Sequence, residues 1–165
     1  MDYRAFGMAL AMSASFSVGS AGAADFNSFT VETKAIADTL KCPNPKVTKT
    51  AGMPDLWGCI LPGAEVMKVF VNASAGGRVE NVKIMWNDWT KDVGYGVHTD
   101  KAIAEAWVTA LATRYAPLKI QEVLDAFRGK SDAVISGDGV SLEYTYFRGP
   151  AIDERLITVI AQQPN

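Results

Sequence analysis

VMKVFVNA (66–73), SAGGR (74–78) and VENVKIMW (79–86) together decide the fold of this chain. Met67, Val69 and Val71 alternate with Lys68, Phe70 and Asn72, and Val82, Ile84 and Trp86 alternate with Asn81, Lys83 and Met85. A period of two puts each apolar set on one side of a strand. Between the runs, Gly76-Gly77 supplies the positive φ that a tight return needs, so the stretch predicts an antiparallel hairpin with one apolar face. Such a face must be covered by something.

Helices on either side of the hairpin supply the cover. After it, Thr99 or Asp100 can cap a helix with Ile103, Ala106, Trp107, Ala110 and Leu111 along one stripe, ended by Pro117. A shorter helix follows, with Ile120, Val123, Leu124 and Phe127 on one face and Gly129 as its stop. Before the hairpin, Asn27 or Ser28 can cap a helix carrying Val31, Ala35, Ile36 and Leu40, which Pro43 ends. The run 56–61, bounded by Pro54 and Pro62, reads as a strand.

The last third is β again. Residues 133–136, the turn Gly137-Asp138-Gly139 and residues 140–146 form a second hairpin, and 156–161 makes a final strand beyond Gly149-Pro150. The order α-β-β-β-α-α-β-β-β predicts a two-layer α+β domain, an antiparallel sheet of hairpins backed by helices.

Met1 to Ala24 reads as a cleaved secretory signal peptide. Asp2, Tyr3 and Arg4 precede an uncharged run, which closes on Ser20-Ala21-Gly22-Ala23-Ala24. Small residues one and three places before the cut allow cleavage after Ala23 or after Ala24. The apolar run is shorter than the about 18 residues of a spanning helix, so no stable membrane insertion is expected after cleavage. The Ala-rich leader is of bacterial type and sends the chain to the periplasm or outside the cell. Residues 25–165 then form one domain, near the usual size for a single core.

The two cysteines, Cys42 and Cys59, are an even count in an exported chain and read as a disulfide. It would tie a helix end to a strand and contribute about 3 kcal/mol by loop entropy. Free thiols, or a redox or metal role, are the alternatives, and the spacing fits neither C-x-x-C chemistry nor a zinc knuckle.

Sixteen Lys and Arg against 18 Asp and Glu, a net charge of −2, argue against nucleic acid as a partner. No phosphate or dinucleotide motif occurs, since Gly137-Asp138-Gly139 joins two strands, and no cofactor is expected. The single histidine, His98, is the one candidate catalytic imidazole, with Asp88, Asp92 and Asp100 nearby in sequence. Those four side chains could also ligate a divalent ion, although the spacing lacks the pattern of a calcium loop. Asn72-Ala73-Ser74 matches a glycosylation acceptor, without meaning in a bacterial chain.

The segment 87–98 has no period and reads as a loop of about a dozen residues. Trp89 and Tyr95, with His98, are the candidate binding residues, because such rings offer apolar faces with a polar handle. Trp86 falls on the core side of its strand. The reading is an exported, disulfide-stapled binding or interaction protein of the envelope, without enzymatic activity, whose partner is a protein or small molecule. A hydrolase or metal-dependent enzyme centred on His98 is one alternative. An inhibitor of a secreted enzyme, or a structural envelope protein, is another.

Overall fold

The computed structural model describes residues 24–62 and 66–162. The leader expected at Met1 to Ala24 lies outside them, except for Ala24. The elements run α1 (Phe29–Leu40), β1 (Lys46–Thr48), β2 (Leu56–Ile60), β3 (Met67–Ala73), β4 (Val79–Trp89), α2 (Lys101–Tyr115), α3 (Ile120–Arg128), β5 (Ala133–Ser136), β6 (Val140–Arg148) and β7 (Ile152–Ala161). All seven strands join one antiparallel sheet in the order β1-β2-β3-β4-β7-β6-β5. The α+β class is therefore as expected.

The hairpin forms as its alternation requires. Val69 pairs with Ile84 and Val71 with Val82, and all four are buried. Gly76 and Gly77 turn the chain at φ 87° and 76°. A bulge between Asn72 and Ala73 absorbs the register shift that lets both Val79 and Val82 face inward. The inward residues of β2 to β7 meet α1, α2 and α3 on one side of the sheet, giving a two-layer core. On the other side the sheet is uncovered, and Lys68, Phe70, Lys83 and Met85 are only half-buried.

Four boundaries differ from expectation. β1 is an additional strand, fully exposed and three residues long, too short for periodicity to reveal between Pro45 and Thr50. β4 runs on to Trp89, so residues 87–89 are strand and not loop; they pair with β7 at Glu154, Asp153 and Ile152. β6 likewise extends to Arg148. β7 begins at Ile152, four residues early, with Asp153 and Arg155 continuing the inward row of Ile157 and Val159.

The helix faces also shift. Val31 is exposed, and α1 buries Phe29, Glu32, Thr33, Ile36 and Leu40. Ser28 caps it, its Oγ accepting from Val31 N at 3.3 Å. On α2 the inward stripe is Ala104, Trp107, Val108, Leu111, Ala112 and Tyr115, with Ile103 exposed. Asp100 stands at its start in a left-handed conformation and makes no side-chain cap bond.

Cys42, just past α1, is bonded to Cys59 in β2, with Cα atoms 6.0 Å apart. Helix end and strand are thereby tied, as the sequence predicts.

Where β6 returns into β7, a Cβ on Gly149 would overlap the Ile152 carbonyl oxygen. Both positions belong to backbone that cannot swing aside. Gly149→Ala is expected to cost roughly 1–3 kcal/mol, read as a lower urea midpoint at unchanged slope.

Candidate functional site

Asp88 occupies the inward row of β4 beyond Val82, Ile84 and Trp86, so the alternation that builds the core also drives a carboxylate into it. Asp88 is 2% exposed. Its Oδ1 lies 2.7 Å from His98 Nδ1, and its Oδ2 accepts from Arg155 Nε at 3.4 Å. An ionised carboxylate only accepts, so in this contact Nδ1 is the donor. The imidazole side chain is 54% exposed.

Arg155 fixes the inner wall of this site. Its Nη1 donates to Phe127 O at 2.9 Å, Gly129 O at 2.5 Å and Tyr144 Oη at 3.1 Å, which ties β7 to the end of α3. The guanidinium also sits 5.7 Å from the Trp86 ring and 5.1 Å from the Tyr146 ring. Tyr146 donates to Asp153 at 2.5 Å, and this bond lifts its phenol above the ordinary value. Burial does the same for Tyr144.

A cavity of about 70 Å³ opens here, lined by Trp86, Asp88, His98, Lys101, Glu105, Phe127, Arg128 and Arg155. None of these side chains is a hydroxyl or thiol. The oriented imidazole therefore has no Ser, Thr or Cys nucleophile beside it in this cavity.

The segment between β4 and α2 is held by its own hydrogen bonds. Asp92 Oδ1 accepts from Gly94 N at 2.9 Å and Gly96 N at 3.1 Å, and these donors hold its carboxyl below the usual range. Thr99 Oγ1 reaches the Tyr95 carbonyl, and Gly96 O at 3.0 Å. His98 N donates to Trp89 O at 2.7 Å, Thr90 N to Ala151 O at 2.9 Å, and Trp86 Nε1 to Thr99 O at 3.2 Å. His98 and Asp100 are both left-handed, at φ 54° and 59°. Such residues cost of order 1–3 kcal/mol each and persist where surrounding contacts over-determine them.

This bracing presents an aromatic surface. Trp89 leaves β4 on the uncovered face and meets Tyr95 with ring centroids 5.2 Å apart and planes at 31°. Tyr95 is 55% exposed, with Val93 and Val97 exposed beside it in the loop. Phe147, 69% exposed, faces the same open side from β6, where it pairs with Glu154 of β7. The Trp89 Nε1 is buried without a hydrogen-bond partner among the described residues.

Of the residues singled out from sequence, His98 meets Asp88 on the helix side of the end of β4, and Trp89 meets Tyr95 on the uncovered side. Asp92 is committed to the loop amides, and Asp100 stands at the start of α2 without a side-chain cap bond. Among the described residues no group of three or more His, Cys, Asp or Glu side chains is placed to share a metal ion. Sequence reasoning missed Arg155, Asp153 and Tyr144. Extending the Ile157/Val159 alternation backwards would have put Arg155 and Asp153 inside.

The molecule is thus a two-layer α+β domain stapled by one disulfide, and no helix among its described residues is long and apolar enough to cross a membrane. No protein-family model matches the chain, and neither a curated protein nor a solved structure matches it at a significant level.

Proposed function

We propose that this chain is an exported binding protein of the cell envelope, periplasmic or secreted. Its leader is removed, and it captures a protein or small-molecule partner on the aromatic surface at Trp89 and Tyr95. The observation that carries this reading is the braced loop. Two glycine amides on Asp92, the Thr99 hydroxyl and the Asp88–His98 bond hold Tyr95 outward against Trp89 before any partner arrives. An exposed aromatic fixed in advance loses little entropy on binding. The Cys42–Cys59 bond is in keeping with an oxidising compartment.

Tyr95→Ala removes a ring that is more than half exposed, so it is expected to leave thermal unfolding nearly unchanged. It should weaken partner capture from envelope extract by about 2 kcal/mol, the usual scale of an aromatic hot spot. Capture that survives both Tyr95→Ala and Trp89→Ala at full strength refutes the proposal. A partner that proves to be a secreted hydrolase blocked by the complex would make the protein an inhibitor.

A second reading has one observation in its favour, the 2.7 Å contact between His98 and the buried Asp88. It makes His98 a general base for a hydrolytic reaction. His98→Gln keeps a polar side chain near Asp88 but abolishes proton transfer at neutral pH. A turnover found for the wild-type chain and lost in this variant, with partner capture intact, would establish that reading over the first.

A further inference from the structure

The carboxylate of Glu32 is wholly enclosed in the core, in the first turn of α1. Arg114 of α2 donates to it from Nε at 2.8 Å and Nη2 at 2.5 Å, and the Tyr115 hydroxyl donates as well. The fourth donor comes from outside both helices: the backbone nitrogen of Asp25, 2.8 Å from Oε2.

That nitrogen is firmly placed. Phe26 O accepts from Val79 N at 2.9 Å, and Phe29 N donates to Gly77 O at 2.9 Å, which laces the segment to the β3–β4 turn. The Phe26 ring packs edge-on against Tyr115 at 6.1 Å. Asn27 N donates to Asp25 Oδ1 at 3.0 Å, curling the chain so that Asp25 N turns inward.

Asp25 also follows directly on the small-residue run 20–24. The rule of small residues at one and three places before the cut allows Ala23–Ala24 or Ala24–Asp25 to be the scissile bond, and it does not choose between them. The enclosed carboxylate does.

We propose that the leader is cut between Ala24 and Asp25, and that the α-ammonium so released becomes the second cation on Glu32. The proposal rests on the export reading above. In the cleavage, catalysed by a membrane-bound leader peptidase, water adds across the amide. Its hydroxyl goes to the Ala24 carbonyl carbon, the C–N bond breaks, and the remaining protons leave Asp25 with a positively charged amine and Ala24 with a carboxylate.

Before the cut, the charged donor on Glu32 is Arg114; after it, the Asp25 α-ammonium is a second one, replacing a neutral amide. A buried carboxylate gains more from a charged donor than from an amide. The folded state therefore favours the processed chain, and the mature end is held against the core instead of fraying.

The first test reads the N-terminus of the exported protein by mass and sequencing. A start at Asp25 is expected. A start at Ala24 overturns the proposal while leaving export intact, and an uncut chain recovered from the envelope removes the export reading itself.

The second test compares two preparations beginning at Asp25, one with a free amine and one N-acetylated. The groups around that amine are Glu32 of α1, Arg114 and Tyr115 of α2, and the Asp25 carboxylate. Burial pushes the Tyr115 phenol well up, so it stays neutral in the test range. A terminal amine gaining a partner has its pKa raised on folding. Its contribution is full below the unfolded value of about 8 and fades as pH rises through the folded value.

Acetylation is expected to lower the folding constant about tenfold at pH 6, the equivalent of one pKa unit, with the gap closing by pH 10. In a Glu32→Gln background the gap should fall below twofold. Should that variant not fold, the pH series on the unaltered sequence decides. Equal stability of free and acetylated forms at pH 6 refutes the pairing.

Discussion

Glu32→Ala is expected to cost about 3–5 kcal/mol, enough to leave much of the protein unfolded at 37 °C. The loss comes less from the missing carboxylate than from what it leaves behind. Arg114, whose side chain is 10% exposed, and the Tyr115 hydroxyl, almost fully enclosed, would face each other without their shared acceptor. Like-for-like removal of one member of an enclosed ion pair is far more damaging than removing both. Glu32→Leu combined with Arg114→Leu and Tyr115→Phe should accordingly recover a substantial part of the loss, measured by urea denaturation.

The same cluster sets an acid limit. Burial on its own would raise the Glu32 pKa, but the bonds from Arg114, Tyr115 and Asp25 N outweigh it and hold the value below that of a free glutamate. The stabilisation is present above the unfolded pKa of about 4.3 and is lost as pH falls through the folded value. Wild type should therefore lose stability more steeply below pH 4 than Glu32→Gln does.

The second large effect is expected from the disulfide. Replacing Cys42 and Cys59 by alanine together opens a loop whose ends are 17 residues apart in sequence. The loss should be about 3 kcal/mol, or a fall in Tm of roughly 10 °C for a domain of this size. Paired alanines are the better choice because Cys59 is fully buried and a serine hydroxyl there would want a partner. An unchanged Tm would mean that the loop is equally ordered when open. Reductant added to the wild type should reproduce the double variant once the bond is reached.

What could be read from the residues divides along physical lines. Where apolar side chains alternate without interruption, as from Met67 to Trp86, the strands and their inward face are as expected. The elements misjudged are those in which a charge stands in an apolar row. Asp88 made β4 look as if it stopped at Trp86, and Asp153 and Arg155 hid the first four residues of β7. On α1, Glu32 and Thr33 take inward positions, which turned the helix away from the face that Val31 suggests. Two of these charges are matched by a partner distant in sequence: Glu32 by Arg114 and Asp88 by Arg155. A local pattern carries no signal of a partner 82 or 67 residues away. The site was partly legible for the opposite reason. His98 and Asp88 are ten residues apart, and the rings of Trp89 and Tyr95 belong to the same short segment.

The sheet order places β7 between β4 and β6, as an interior strand paired on both sides. The strand that joins the two groups is therefore the last of the described elements. A polypeptide threaded across a membrane from its N-terminus would emerge with β1 to β4 able to pair and β5 able to meet β6. The two groups have no seam between them until residues 152–161 arrive. Such late, long-range pairing slows closure of the sheet. The position of one strand thus makes the joining of the two groups a single late event, in which β7 meets β4 and β6 together.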